Sequence, residues 1–118
     1  MVDFSLSRLK HQARKLRLRL FIDGKGEVTE SDNDASPKNC NLGKWIYSVG
    51  LKEYEIFPEV LRLEKVHAEV HAGIRRIIDL KRAGDTLQAE QEFSKLGAAS
   101  DELLALLTVV EQKVKEQG

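Results

Sequence analysis

The feature that most constrains this chain is where its helix breakers fall. Across 118 residues they cluster in three places: Asp23-Gly24-Lys25-Gly26 with Ser36-Pro37 downstream, Gly50 with Pro58 downstream, and Ala83-Gly84-Asp85. Between them apolar residues recur in three- and four-residue steps, and no stretch alternates as a strand does. The first periodic segment runs from residue 3 or 5 to residue 22. Residues 23–39 are polar and read as a long irregular loop, the kind that often carries function in a small domain. A short helix follows, with Ser36 or Asn39 as N-cap, Cys40 in its first turn and Gly50 past its end. A long helix starts near Pro58, a residue suited to the first helical position, and stops at Ala83-Gly84-Asp85. The last opens with Asp85-Thr86-Leu87-Gln88, similar to a capping box, and carries the stripe Phe93, Leu96, Leu103, Leu107, Val110 and Val114. The expected fold is all-α. It is an antiparallel four-helix bundle of three long helices and one short Cys-bearing helix, with a long loop after the first. The length fits one domain over residues 1–118 with a real core.

Two apolar stripes are interrupted by polar residues. In the third helix Val60, Leu63, Val70, Ile74 and Ile77 keep the step, and His67 takes the missing place between Leu63 and Val70. Ser100 does the same in the last helix. His71 lies four residues after His67 and so shares its face. Both belong to a scarce set, because the chain has three histidines (His11, His67, His71) and one cysteine, Cys40. Three imidazoles and a thiolate make a complete tetrahedral ligand set for zinc. Taken alone, a helical His on an apolar stripe is more often a hydrogen-bonded core residue, and a lone buried Cys more often a small hydrophobe. Two polar rings on one buried face need a shared reason. The run Cys40-Asn41-Leu42-Gly43-Lys44-Trp45 places the thiol at a helix N-terminus, where the macrodipole favours thiolate. Gly43 costs helix stability and so points to close backbone packing. Trp45 and Ile46 are placed to shield the neighbourhood from water.

The first helix has two apolar faces. Leu6, Leu9, Ala13, Leu16 and Leu20 form one seam; Phe4, His11, Leu18 and Ile22 fall on nearly the opposite side at roughly 100° per residue. A simple monomeric bundle cannot hide both. The expectation is that the His11 face looks into the core and the other seam meets a second copy, making a homodimer; cover by the loop or by the last helix is the other reading.

Charge and composition narrow the function classes. Nineteen basic and nineteen acidic residues give a formal net charge of zero, which argues against a general polyanion binder. The basic run Arg8, Lys10, Arg14, Lys15, Arg17 and Arg19 reads as a solvated face rather than a nucleic-acid reader, since no aromatic residues interleave it. One cysteine forms no internal disulfide, no signal peptide is visible, and the longest apolar stretch, residues 103–110, is too short to span a membrane; a cytoplasmic setting is expected. A zinc hydrolase is disfavoured because Glu69 lies two residues from each His and so off their face, whereas the metalloprotease helix has its Glu directly after the first His. Glu64 and Glu69 do not supply the carboxylates of a di-iron bundle. Asp32 and Asp34 lack the spacing of a calcium loop. Tyr47, Tyr54 and Phe57 read as packing residues near the short helix.

One pattern remains: His11, then Cys40-Asn41-Leu42-Gly43-Lys44-Trp45, then His67-Ala68-Glu69-Val70-His71. It resembles the bacterial chemoreceptor zinc-binding domain, whose Cys-x-Leu-Gly-x-Trp element stands in register with His-x-x-x-His. By position, the resemblance implies His11, Cys40, His67 and His71 as zinc ligands, with Leu42, Gly43 and Trp45 shaping the site. Ala13 departs from the family, which usually has an aromatic or large apolar residue there. The resemblance further implies a cytoplasmic bacterial homodimer, not an enzyme, associated with zinc sensing and with response to hypochlorous acid through the metal-bound cysteine. Such domains occur attached to chemoreceptors and diguanylate cyclases, so chemotaxis and cyclic-di-GMP signalling are the implied outputs. No receptor coiled coil or cyclase signature is present. The chain is then an excised fragment or a stand-alone member, and its Met start favours the second. The expected mechanism is a switch with Cys40 on or off zinc and the short helix as the moving part, in response either to zinc occupancy or to oxidation of the thiolate, whose first reversible product is sulfenic acid. The rival reading is an interaction module in which zinc is only a staple, and the signalling partner is unknown.

Overall fold

A computed structural model of the chain describes residues 3–28, 36–38 and 40–117. The first helix, α1, is Phe4–Ile22. Asp3 caps it by accepting the Leu6 N–H on its carboxylate at 3.0 Å. Its end is a Schellman closure, in which Gly24 at φ 73° lets Lys25 N–H reach the Leu20 carbonyl at 2.8 Å. After the loop come α2 (Asn41–Trp45), a π-helical turn (Ile46–Gly50) and the three-residue α3 (Leu51–Glu53). The two longest helices are α4 (Pro58–Arg82) and α5 (Thr86–Gln117). Pro58 is the first residue of α4. Gly84, at φ 85°, closes α4 by a second Schellman motif. Asp85 then caps α5 by accepting from Gln88 N–H at 3.1 Å, so three residues reverse the chain.

Cross-helix ion pairs give the directions. Arg62 meets Glu102 and Arg76 meets Glu92, so α4 and α5 are antiparallel. Arg8 meets Glu111 and Arg19 meets Glu90, so α1 is also antiparallel to α5 and runs parallel to α4. The Cys-bearing segment descends between them, from the middle of the bundle near His67 to the end where Trp45 meets Phe4. The fold is the expected all-α bundle, and α5, with 32 residues rising about 1.5 Å each, spans its 48 Å long axis. The core is the expected stripes: Val60, Leu63, Ile74 and Ile77 of α4 close on Leu96, Leu103, Leu107 and Val110 of α5. Ser100, which fills a step of that stripe, is buried with them.

Two sequence expectations change. Cys40 is not inside the first turn of the short helix but is its N-cap, extended at φ −88° and ψ 158°. Its sulfur accepts the Gly43 N–H at 3.3 Å, which does the work expected of Ser36 or Asn39; Asn39 lies outside the described residues. Gly50 does not end the helix. The chain stays helical to Glu53, and Gly50 sits at the end of the π turn because a Cβ there would meet the Trp45 ring at 3.0 Å. Its missing side chain serves packing, not chain reversal. Asp32 and Asp34 also lie outside the described residues.

Candidate metal centre

Three separate elements bring His11, Cys40, His67 and His71 to one point. One donor atom from each lies within 4.8 Å of the others. All three histidines are buried and Cys40 is half-buried. The imidazoles pack edge to face, with ring centroids 4.4 Å apart for His67 and His71, 5.5 Å for His11 and His67, and 5.9 Å for His11 and His71. Cys40 Sγ lies 3.1 Å from His67 Nε2.

Each donor is held by local structure. On α1, His11 Nδ1 lies 2.8 Å from the Ser7 carbonyl. A carbonyl only accepts, so Nδ1 carries the proton and Nε2 presents its lone pair to the cluster. On α4, the i, i+4 spacing sets His67 over His71. On α2, Gly43 is the close-approach residue, because a Cβ there would lie 3.3 Å from His67 Cε1 and 1.5 Å from the Pro37 carbonyl oxygen. No larger residue leaves α2 seated. Leu42 is buried and borders a small cavity with His11 and Cys40. Trp45 is buried one turn further, edge-on to Phe4 at 5.3 Å and stacked on Tyr54 at 6.1 Å, which in turn stacks on Phe57. Tyr47 also donates to Glu64 at 3.0 Å, a tie from the π turn to α4. Ala13 is exposed on the far face of α1, so its departure from the family pattern does not reach the cluster.

The electrostatics favour neutral donors. Burial pushes His11 below its ordinary range. Burial, then repulsion from His71, His11 and Arg14, pushes His67 down to about 2. Neutral imidazole is the form that binds metal. The set also fits zinc in kind: three nitrogen donors and one sulfur, buried, with His11 Nε2 and His67 Nδ1 lacking any hydrogen-bond partner. Buried polar atoms left unpartnered in this way are costly unless something uses them. Zinc–nitrogen and zinc–sulfur bonds place tetrahedral donors about 3.3–3.7 Å apart, so donors within 4.8 Å of one another stand close to that spacing.

One neighbour was not legible in the sequence. Arg14 reaches His71, with Nη1 3.4 Å from Nε2. The basic run reads as solvated, but Arg14 stands three residues after His11 and so on its side of the helix.

The family model described as chemoreceptor zinc-binding domain matches residues 11–78. That span runs from the first histidine through nearly all of α4 and covers more than half of the chain. The chain belongs to the chemoreceptor zinc-binding domain family. It is a zinc-binding sensor domain, and its His/Cys group is placed to hold the ion. Comparison with curated proteins gave no match, and comparison with solved structures gave none either. All of α5 lies beyond the matched residues, yet it supplies the buried stripe Leu96, Leu103, Leu107 and Val110 on which α4 rests. Among the described residues no helix is long and apolar enough to cross a membrane.

Proposed function

We propose that His11, Cys40, His67 and His71 are the zinc ligands of a non-enzymatic, cytoplasmic switch whose moving part is the segment carrying Cys40. The observation that carries this reading is the convergence of four donors from three elements, one of which is only five residues long. Four protein ligands leave no water position, which befits a structural or regulatory site rather than a catalytic one. Bound zinc would favour the Cys40 thiolate and tie α1, α2 and α4 together. A peroxide or hypochlorous acid takes two electrons from that sulfur and leaves an oxygen on it, giving the sulfenic acid. Cys40 is half-buried and therefore reachable. Once altered, its sulfur also serves less well as the acceptor for Gly43 N–H, so α2 loses its cap together with its tether. Chemotaxis or cyclic-di-GMP signalling is the output this reading serves.

Metal content of protein purified without added zinc tests the site. One zinc per chain is expected, and Cys40→Ala should lose it faster to a chelator. A wild-type chain that takes up no zinc even when it is supplied refutes the reading. Amide exchange tests the switch: chelation or oxidation should speed exchange across residues 40–53 at least about tenfold more than in α4 and α5. Equal responses would leave zinc as a staple.

We propose in addition that the domain is a homodimer through α1. Leu6, Leu9, Leu16 and Leu20 are 44%, 62%, 62% and 38% exposed, and the His11 face is turned inward. Four leucines along one helix face are a stripe that usually marks a contact. Leu9→Glu with Leu16→Glu should give a monomer by light scattering with zinc content unchanged; a wild-type monomer at high concentration would sink the proposal.

A further inference from the structure

Arg14 is half-buried on α1, and its contact with His71 constrains what that ring can do. A guanidinium carries donors only, so at 3.4 Å from Nη1 the His71 Nε2 must be the acceptor. The ring proton then sits on Nδ1. If a metal takes the Nε2 lone pair, the His71 ring no longer offers Arg14 an acceptor. If a metal takes Nδ1, the proton moves to Nε2 and two N–H groups face each other. Whichever nitrogen coordinates, His71 cannot bind a metal and keep Arg14.

Arg14 also borders a cavity of about 40 Å³ together with Ser7, Lys10, His11 and Cys40. That space lies beside the cluster.

We propose that Arg14 is a built-in competitor for the metal: its guanidinium occupies His71 in the metal-free protein and must be displaced for zinc to bind, which weakens affinity and eases release. The inference rests on the four-ligand reading above. Displacement costs the protein a charge-assisted hydrogen bond and leaves a positive charge beside an incoming cation. Where a structural site would surround its metal with groups that strengthen its ligands, this one keeps a cation on one of them. That suits a site that must empty.

The test is zinc affinity, measured by competition with a chromophoric chelator, for wild type, Arg14→Met and Lys10→Met. Methionine keeps an unbranched stem and a good helix propensity, so α1 should stand. Arg14→Met should bind about tenfold tighter, the effect of removing one charge-assisted hydrogen bond. Lys10→Met, which removes an exposed and screened charge beside the same cavity, should stay within about twofold of wild type. Unchanged or weaker binding by Arg14→Met overturns the proposal, and so does equal tightening by Lys10→Met. Imidazole nitrogen spectra of metal-free protein give a second readout: the His71 Nε2 resonance should move in Arg14→Met, and an unmoved resonance overturns the contact. A wild-type chain that binds no zinc removes the four-ligand reading itself, whereas one zinc per chain with Arg14→Met no tighter removes the competitor alone.

Discussion

α4 and α5 are 25 and 32 residues long, while α2, which begins at the Cys40 cap, has five. The long pair is closed at its turn by a Schellman motif and an aspartate cap, and its facing stripes are almost wholly apolar. The short segment is held otherwise: its cap is a thiol, its helix passes through a π turn, and two glycines admit a carbonyl, an imidazole and an indole where side chains would stand. His67 and His71 ride on the long pair and Cys40 on the short segment. On the switch proposed above, the long pair would keep two imidazoles fixed while the Cys40 donor moves, stability and motion falling to different parts of the chain.

The contrast can be broken by mutation. The largest effect expected is from Leu107→Ala, which opens a cavity at a fully buried position of α5. It should cost about 2–5 kcal/mol in urea unfolding, with one zinc still bound per folded chain. A cost under about 1 kcal/mol would mean that the hairpin is not the scaffold. Gly43→Ala comes next. Its Cβ would collide with the Pro37 carbonyl and press on His67, so α2 must shift. Zinc affinity should fall by about 10–100-fold, as for other changes that disturb how a ligand is held, while metal-free unfolding changes little; wild-type affinity would deny α2 its role in setting the site. The smallest is Asp85→Ala, which removes the α5 cap for about 1 kcal/mol and should leave zinc affinity alone. A parallel loss of affinity would show the two regions to be coupled through the hairpin turn.

Much of this architecture was legible because it is local. Gly24, Gly84, Asp85 and Pro58 act within a few residues of where they stand, so the ends of α1, α4 and α5 follow from chain chemistry. His67 betrayed its burial by occupying a step of an apolar stripe, and Gly43 its close packing by its cost to a helix. The rest depends on contacts distant in sequence or on rotamers. Gly50 reads as a helix end until the Trp45 ring is seen lying on it. The N-cap reads as Asn39 or Ser36 because cysteine rarely takes that place; only the nearness of His67 puts the sulfur there. Arg14 is one cation in a basic run, and its inward reach is a matter of side-chain torsions that spacing does not fix.

The π turn sets the azimuth of everything before it. Leu51 N–H bonds to the Ile46 carbonyl, five residues back, where an α-helix would reach four. The turn thus holds one residue beyond the regular count, a phase offset of roughly 100° between α2 and α3. Excising a single residue there would leave helix on both sides and an unbroken chain, yet it would rotate α2 about its own axis and carry Gly43 away from His67. The aim of the sulfur is therefore written in the winding of the backbone as much as in the identity of the ligands, and a pattern of donor residues with that count altered would have the right letters and the wrong dial setting.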